Sequence, residues 1–382
     1  MFVIPECSNR ESAVKLFHMK GRYPIEALGY DNQKIYKIMK KYLLDLTIPQ
    51  FKSAAGSLLA GQEYRLNQII EWVYVKKAAS FDEFTNLPKD LRQKLDEKFL
   101  LRALEIVKKE KSIIDGTIRY TFRTLDKKYF FAVFLPANGK NSVCISSQVG
   151  CPVACAFCSS GKVKLARNLS RGEILEQILQ IENDTKEKIS GILFMGMGEP
   201  MLNFDNVTSA LSSLLSGKEF GIGKRHITVS TVGIVPAVKK LAEENYGARL
   251  ALSLHAVDDR QRKILIPNNL GFTIDEILNS GKYYLKKANS RLTIEYILVK
   301  GINDSSADAH KLARLLRQHE LINPDVQINL IPFNPVEGVK FQTPEQESVT
   351  KFKNILKLNG LTVNVRQAKG ADISAACGQL GY

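Results

Sequence analysis

Three cysteines in one short segment are the residues whose spacing points most directly to chemistry. In CPVACAFC, Cys151 is followed by Cys155 after three intervening residues and by Cys158 after two more. Thiolates are the ligands that iron-sulfur clusters and zinc select, so three of them this close together can bind one metal centre. A cubane cluster held by only three cysteines keeps one iron open to another ligand. The spacing also leaves open a zinc site completed by a distant residue, or three inert buried thiols.

A second group of candidate residues lies where apolar, strand-like runs end. FMGMGEP places Gly196, Gly198 and Glu199 after one such run, and glycines let the backbone approach a ligand closely while the carboxylate faces it. Polar residues at the ends of later runs are Ser230, Ser253, His255 and Asn334. Each of these features alone is more often structural. Polar groups at the carboxyl ends of parallel strands can nevertheless converge on one pocket.

These candidates are positioned by a regular alternation of strand-like and helical segments that begins near residue 142. The strand-like runs are VCISS, GILFM, HITVST, ARLALSL, RLTIEYILV and VQINLIPF. Helical patterns such as GEILEQILQIEND follow them, which predicts a parallel sheet with helices outside it. A further helix, QESVTKFKNILKL, ends at Asn359-Gly360 and precedes a seventh strand, LTVNVRQ. Six strand-helix units are fewer than the eight of a closed barrel, so we predict an α/β fold with a partial (β/α)6 barrel.

The first third of the chain has a different pattern. IYKIMKKYLL, LNQIIEWVYVKK and LPKDLRQKLDEKFL have the apolar spacing of amphipathic helices. RYTFRTLDKKYFFAVFLP is rich in aromatic and β-branched residues interrupted by LDKK, which predicts a β-hairpin. We therefore predict a small helical N-terminal domain at 1–110, a connecting hairpin at 111–140 and the barrel at 141–382.

The charge balance indicates a polyanionic partner. There are 54 Lys and Arg residues against 39 Asp and Glu, and 54 − 39 = +15. Residues 1–140 hold 25 basic and 16 acidic side chains, so 25 − 16 = +9 of this excess lies there. The basic residues that follow the cysteine segment are Lys162, Lys164, Arg167 and Arg171. We favour them over Lys224, Arg225 and His226, because residues that precede a strand face the opposite end of a barrel.

The sequence also limits the location of the protein. No run of about 18 apolar residues could cross a bilayer. The segment MFVIPECSNR lacks the arrangement of a secretory signal. We expect a cytoplasmic protein with no membrane partner.

Taken together, the motifs resemble those of the RlmN/Cfr family of radical S-adenosylmethionine (SAM) RNA methyltransferases, nearer the RlmN branch. The matching motifs, in chain order, are CISSQVGC, CPVACAFC, RNLSRGEIL, FMGMGEP, STVGIVP, SLHA, NLIPFNP and ADISAACGQL. The resemblance implies a TIM-like partial barrel of the radical SAM type and a 4Fe-4S cluster bound by Cys151, Cys155 and Cys158. It implies that SAM is contacted by Gly198, Glu199, Ser230, Ser253, Leu254, His255 and Asn334. It also implies that the N-terminal domain docks RNA.

The resemblance further implies catalytic roles for Cys377 and Cys144. In the family, the cysteine of ADISAACGQL accepts a methyl group from a first SAM, and a second SAM is cleaved reductively at the cluster. The resulting radical takes hydrogen from the S-methyl group, and the methylene radical adds to an adenine carbon. Cys144 then resolves the adduct through a transient disulfide with Cys377. The implied substrate is C2 of an adenosine in 23S rRNA, and in many members a tRNA adenosine. The implied electron donor is a flavodoxin or ferredoxin, and the enzyme is expected to be a monomer.

One position departs from the family pattern. Where the family has a glutamate thought to take the proton from the adduct, alignment on Pro136 and Cys144 places Phe131. A general base contributes about 10²–10⁴ in rate, so another group or a changed reaction must compensate. Asp126 is the acidic residue of the adjoining turn. The alternatives are methylation at C8 or of another RNA, a catalytically lapsed RNA-binding protein that retains its cluster, and a cluster enzyme acting on a protein or small molecule.

Overall fold

The computed structural model of the protein describes residues 40–59, 61–268, 270–322 and 324–381. The helix predicted over IYKIMKKYLL lies largely outside the described residues, and the end that is described is not an α-helix. Lys41–Tyr42 forms strand β1, and Leu43–Asp45 forms a 3-10 helix. Strand β1 pairs in parallel with β2, Phe99–Leu100, so its backbone groups bond to a second strand rather than to a helical turn.

The described chain forms two compact units, and the first comprises residues 40–68 and 78–102. Helices α1 (Ile48–Ala55), α2 (Glu63–Ile70) and α3 (Lys89–Lys98) begin in this unit. A capping box starts α1, because the Thr47 hydroxyl accepts the Gln50 N–H while the Gln50 side chain accepts the Thr47 N–H. The α2 helix continues as a π-helical turn. The structure therefore confirms the helices predicted over LNQIIEWVYVKK and LPKDLRQKLDEKFL.

The second unit, residues 69–77 and 103–381, contains a ten-stranded sheet. Its first three strands are antiparallel: β3 (Glu105–Lys111), β4 (Ile118–Arg123) and β5 (Tyr129–Leu135). Strands β4 and β5 form the predicted hairpin, and Lys127 in its turn has a φ of +58°. Strand β3 was not predicted, because it is mostly exposed and reads EIVKKEK.

Strand β6 (Ser142–Cys144) begins the parallel part of the sheet, and β7 (Gln148–Val149) and β8 (Arg167–Asn168) form a separate antiparallel pair. The remaining parallel strands are β9 (Gly191–Phe194), β10 (Ile227–Thr231), β11 (Arg249–Ser253), β12 (Leu292–Leu298), β13 (Val326–Pro332) and β14 (Thr362–Val365). Along the sheet the strands follow the order β14 to β9, then β6, β5, β4 and β3. The six predicted strand runs and the seventh strand are thus confirmed.

Helices follow the parallel strands. They are α4 (Ser159–Lys162), α5 (Arg171–Thr185), α6 (Phe204–Leu215), α7 (Val235–Glu244), α8 (Asp259–Leu265), α9 (Ile274–Ala288), α10 (Ser306–Gln318) and α11 (Gln346–Leu358). Ser170, Thr273 and Ser305 begin α5, α9 and α10 with capping boxes. Gly360, at φ +78°, follows α11 as the predicted left-handed residue. Within the described ranges, no helix has the length and apolar content needed to cross a membrane.

One cavity shows that the sheet curves. This main cavity, of about 800 Å³, is lined by residues from all seven parallel strands, namely Cys144, Leu193, Thr228, Arg249, Thr293, Gln327 and Val363. Seven flat strands about 4.8 Å apart would span too great a width to line one such space. Strands β3 and β14 end the sheet without pairing to each other, so the barrel is open. The predicted α/β partial barrel is confirmed.

Candidate functional site

The segment between β6 and α4 places three cysteines around one space. Cys151, Cys155 and Cys158 all line a cavity of about 160 Å³, called here the cysteine cavity. The Cys158 N–H donates to the Cys155 carbonyl at 3.1 Å, which closes a tight turn. A Cβ on Gly161 would lie 2.7 Å from that same carbonyl oxygen, so the turn requires a glycine there. The backbone therefore holds the three thiols on one short, closely packed loop.

The chemistry of these donors fits an iron-sulfur cluster. Burial raises the pKa of Cys151 to about 12 and also raises the pKa of Cys155 and Cys158. Thiolates in this place would therefore form when a cationic centre offsets their burial. Among the described side chains, no three Cys, His, Asp or Glu are grouped as the ligands of a single metal ion are. In a cubane cluster each thiolate binds a different iron, so the sulfurs need only surround the cluster.

The loop after β9 brings Gly196, Gly198 and Glu199 to the same cavity. A Cβ on Gly196 would lie 2.7 Å from the backbone of Ile145, and Gly198 has a φ of +101°, so both positions suit glycine. Glu199 is buried, and its carboxylate oxygens accept two backbone N–H groups at 2.8 and 3.0 Å. Burial raises the pKa of Glu199 to about 7 although these hydrogen bonds favour the ionised form. The carboxyl can therefore change its charge near neutral pH.

Polar groups at the ends of β10 and β11 also line the cysteine cavity. The hydroxyl oxygens of Ser230 and Ser253 are 3.3 Å apart. His255 is buried, and its Nδ1 accepts the Ile297 N–H at 3.0 Å, so the neutral ring carries its proton on Nε2. Burial, aided by the positive charge of Arg262, lowers the pKa of His255 to about 3. His255 is therefore a neutral hydrogen-bond donor at neutral pH.

Two residues predicted to contact SAM are not among those that line this cavity. Leu254 is fully buried, and its carbonyl accepts a hydrogen bond from the Arg262 guanidinium. Arg262 also donates to the Ser253 carbonyl at 2.9 Å, so it holds the segment that carries the hydroxyl of Ser253. The Asn334 amide donates to the Cys377 carbonyl at 2.9 Å. Asn334 and Arg262 thus position other members of the site.

The C-terminal loop, residues 366–381, returns Cys377 to the cavities. The Ser159 N–H donates to the Gly378 carbonyl at 2.7 Å, and the Ser160 hydroxyl donates to the Leu380 carbonyl. Both donors follow directly on the last cysteine of the cysteine segment. Cys377 is exposed and lines both the cysteine cavity and the main cavity. The structure therefore brings this distant thiol beside the other three.

Cys144 lines the main cavity together with Cys377. Burial raises the pKa of Cys144 to about 12; the charge of Cys377 raises it further, and Arg366 acts in the opposite direction. The described cysteines are all free thiols: Cys144, Cys151, Cys155, Cys158 and Cys377. The structure of the described chain thus holds no Cys144–Cys377 disulfide, and a transient one remains a proposal.

Two charged residues that the sequence analysis did not single out line both cavities. The buried Glu295 of β12 accepts a hydrogen bond from the Asn329 amide on Oε1 at 2.9 Å. Its Oε2 has no hydrogen-bond partner among the described residues and lies 3.6 Å from the Arg366 guanidinium. Burial raises the pKa of Glu295, and the Cys377 and Glu295 charges raise the pKa of Arg366. A charged residue within the apolar run RLTIEYILV was the signal that could have identified Glu295.

Phe131 is buried on β5 and lines neither cavity. The alternation of a strand puts it on the same face as Val133 and Leu135, which do line the main cavity. Asp126 lines neither cavity and is bound by Arg167. Burial favours its neutral form, but hydrogen bonds from Arg167 and Thr124 outweigh this and lower its pKa to about 2. Asp126 is therefore a weak base, and its carboxylate is bound by Arg167 outside both cavities.

The structure corrects the expected RNA contacts after the cysteine segment. Arg171 is only 3% exposed and pairs with Glu219 at 2.9 Å. Arg167 pairs with two carboxylates, each at 2.7 Å. The Lys162 ammonium donates to a backbone carbonyl. Of these four basic residues, Lys164 alone is exposed and without a partner in the described chain, so the group is not a continuous phosphate-binding surface.

Two family models match the chain. The Radical SAM superfamily model matches residues 145–313, and the Ribosomal RNA large subunit methyltransferase N-terminal domain model matches residues 41–101. The first match contains the cysteine segment and the residues of β9 to β12 that line its cavity. The second matches much of the first compact unit.

Similar proteins cover nearly the same length. The chain is 77% identical over 343 residues to the "Probable dual-specificity RNA methyltransferase RlmN" of Endomicrobium trichonymphae, covering 90% of this chain and 98% of that protein. It is 45% identical over 341 residues to the Thermotoga maritima protein of the same name, covering 89% and 97%. A crystal structure of a radical SAM methyltransferase from Sphaerobacter thermophilus is similar at 37% identity and a TM-score of 0.82, covering 89% and 99%. The chain therefore belongs to the RlmN family of radical SAM RNA methyltransferases.

Proposed function

We propose that the protein methylates a ring carbon of adenine in RNA and that Cys377 carries the methyl group. The observation that carries this proposal is the position of Cys377 at the junction of the cysteine cavity and the main cavity. One thiol thus faces both the cluster ligands and a space of about 800 Å³, which is large enough for a nucleobase. The proposed target is C2 of adenosine in 23S rRNA and in tRNA, as in the proteins that the motifs resemble.

The first step belongs to Cys377 and Arg366. The Cys377 thiolate would attack the methyl carbon of a sulfonium donor, so that a sulfur-carbon bond forms while the donor's sulfur-carbon bond breaks. Arg366 lines both cavities together with Cys377, and the charge of Cys377 is the first cause of the raised pKa of Arg366. Two SAM molecules per turnover would be used, one for this transfer and one for the radical step.

The residues of the cysteine cavity would hold the second SAM. A 4Fe-4S cluster bound by Cys151, Cys155 and Cys158 would supply the electron, delivered by a flavodoxin or ferredoxin, that splits this SAM reductively. Glu199 would bind the ammonium group, while the Ser230 and Ser253 hydroxyls and the Nε2–H of His255 would orient the remainder. At about 160 Å³ this cavity is small for such a ligand, but it shares the lining residues Gly196 and Cys377 with the main cavity.

The main cavity would hold the adenine and complete the reaction. Cys144 would attack the sulfur of Cys377, forming a disulfide while the bond from that sulfur to the methylene carbon on the base breaks; the carbon would keep the electron pair and take up a proton to become the methyl group. We propose that the Glu295 carboxylate takes the proton from the adenine carbon. It lines the main cavity and has an oxygen without a hydrogen-bond partner, whereas Asp126 has neither property and position 131 is phenylalanine.

Reconstitution without oxygen tests this proposal. The protein carrying its cluster, SAM, dithionite and RNA are combined, and the digested RNA is analysed for methyladenosine by mass spectrometry. We expect C2-methyladenosine from the wild type and none from Cys377→Ala, which should keep the visible absorbance of the cluster. Cys144→Ala should leave a covalent protein-RNA adduct. Methylated RNA from Cys377→Ala would refute the role of this thiol.

Phe131 favours a second candidate, a cluster-containing RNA-binding protein without methyl transfer. The same experiment separates the two functions. A lapsed protein forms no 5′-deoxyadenosine and no S-methyl group on Cys377, although it still binds RNA. Methylation at C8 would instead give a nucleoside that separates chromatographically from the C2 standard.

A further inference from the structure

A third cavity, lined mainly by polar residues, lies at the end of the barrel opposite Cys377. Its volume is about 520 Å³, and its charged lining residues are Lys224, Arg225, Arg249, Arg291 and Asp325. Each of them lies just before, or at the start of, one of the neighbouring parallel strands β10 to β13. Parallel strands begin at the same edge of a sheet, so residues far apart in sequence meet there. We call this space the basic cavity, and its formal charge is 4 − 1 = +3.

Within the part of the chain that the structure describes, the four basic side chains of this cavity have no ion-pair partner. In the described chain, none of them forms an ion pair or donates a side-chain hydrogen bond. By contrast, other arginines of the barrel form ion pairs with glutamates of the chain, as Arg167, Arg171 and Arg366 do. The Nε of Arg249 is moreover buried without a hydrogen-bond partner. A buried donor in this state costs free energy unless a ligand accepts its hydrogen bond.

The like charges are also close enough to oppose one another. Burial lowers the pKa of Arg249, and the positive charges of Arg291 and Arg225 lower it further. Lys224 lies close to these arginines because its aliphatic chain packs against Gly247. A Cβ at position 247 would lie 2.7 Å from the Lys224 Cδ. The fold thus keeps positive groups together without an internal counter-charge for each, and a bound anion would relieve their repulsion.

The positive lining continues into the barrel. Arg249 lines the main cavity as well as the basic cavity. Lys353 and Lys357 of α11 line the main cavity too. The basic cavity therefore adjoins the space that reaches Cys377, although it opens at the other end of the strands.

We propose that the basic cavity is a binding site for phosphate groups. Guanidinium groups bind phosphate oxygens through paired hydrogen bonds, and a neighbouring lysine adds charge without fixed geometry. Phosphate could come from the backbone of an RNA strand or from a free phosphoanion. Phosphate binding at this cavity does not depend on the proposed function. The assignment of RNA as the origin of the phosphate rests on that function.

Inorganic phosphate is the first probe. The full chain with its cluster is titrated with phosphate while its melting temperature is followed, as wild type, as Arg249→Gln/Arg291→Gln and as Lys286→Gln/Lys287→Gln. The control pair removes the same charge from exposed residues of α9 outside the cavity. We expect phosphate to raise the melting temperature of the wild type and the control, and this rise to be absent from the cavity variant. Equal rises in all three proteins, or no rise in the wild type, would overturn the proposal.

A poly(A) oligonucleotide is the second probe and identifies the source of the phosphate. For each RNA phosphate that the cavity variant no longer binds, the salt dependence of its RNA affinity should flatten by about 0.7–0.9 in log-log slope relative to the control. If the cavity variant keeps the wild-type slope but has lost the stabilisation by inorganic phosphate that the wild type shows, the site belongs to a free phosphoanion. Failure of the wild type to methylate RNA would contradict the proposed function without affecting the phosphate titration.

Discussion

Glu199 is the residue whose ionisation should be visible in SAM binding. Because burial raises its pKa to about 7, the carboxyl is mostly neutral at about pH 6 and becomes ionised as the pH rises. The ionised form attracts an ammonium group, so SAM affinity should increase from about pH 6 to about pH 7.5. Glu199→Gln should remove this increase and weaken binding about 10- to 100-fold, the range for a hydrogen bond to a charged group.

Equilibrium dialysis of SAM across this pH range measures both effects. Asp126→Asn is the matched control, since it removes a carboxylate that lies outside both cavities. If the Glu199 variant keeps the pH dependence of the wild type, another group binds the ammonium.

Glu295→Gln should separate proton transfer from the earlier steps. The amide keeps the size of the carboxyl but is a far weaker base, so RNA methylation should fall by about 10²–10⁴. S-methylation of Cys377 and 5′-deoxyadenosine formation should persist, because neither needs this base. Mass spectrometry of the protein and of the RNA in the same reaction measures both. A parallel loss of the S-methyl group would mean that Glu295 acts by holding Arg366 in place.

The sequence identified those site residues that form a short motif or lie at the end of a strand-like run. The three cysteines proposed to bind the cluster are separated by a few residues, so their spacing alone indicated a metal centre. Glu295 and Arg366 were not identified from the sequence. Glu295 lies on β12 and Arg366 follows β14, and only the curvature of the sheet brings them together. Their positions depend on contacts between strands that a linear pattern does not contain.

At the scale of elements, Gly161 restricts the loop that carries the three cysteines. A Cβ there would lie 2.7 Å from the Cys155 carbonyl oxygen, so Gly161→Ala must shift a cysteine that is proposed to bind the cluster. We expect about 1–3 kcal/mol of destabilisation and a clear loss of bound iron. Gly217→Ala is the control, since no atom lies within 4 Å of its added carbon. Iron per protein and melting temperature measure the outcome, and full iron in the Gly161 variant would contradict the prediction.

The elements were predictable wherever one face or both faces are buried. The parallel strands read as continuous apolar runs because helices cover them, and each run overlaps a strand of the structure, although VCISS extends past the end of β6. Strand β3 escaped because it is an edge strand whose lysines and glutamates face solvent. The helix predicted through Tyr42 and Leu43 was wrong in its described part. There the apolar spacing reflects burial against β2 and the neighbouring core, which a helical period cannot distinguish.

At the scale of the whole molecule, the net charge indicated the class of partner but not where it binds. A sum of +15 does not show which basic groups are already paired. Arg167 and Arg171 are neutralised within the fold, whereas Arg249 and Arg291 are not. Because pairing depends on tertiary contacts, the distribution of free charge emerges only from the folded chain.

Removal of iron should expose the C-terminal loop. The loop is held by hydrogen bonds from Ser159 and Ser160, which directly follow the cysteine segment. If these cysteines bind a cluster as proposed, chelation removes the centre that they surround, so the peptide that contains Cys377 should react faster with a maleimide after chelation than before. Peptide mapping at several times gives the two rates, with the cysteine-free tryptic peptide 78–89 as the reference for recovery. Identical rates would show that the loop is fixed independently of the metal.

The hydrogen bonds between the cysteine segment and the C-terminal loop have a thermodynamic corollary. If metal binding orders the C-terminal loop, then a chemical change on that loop must change the affinity for iron. The two effects have the same coupling free energy. The protein with S-methylated Cys377 and the protein with free Cys377 should thus lose iron at different equilibrium concentrations of a chelator. The affinity for iron would therefore depend on whether Cys377 carries a methyl group, even before RNA binds.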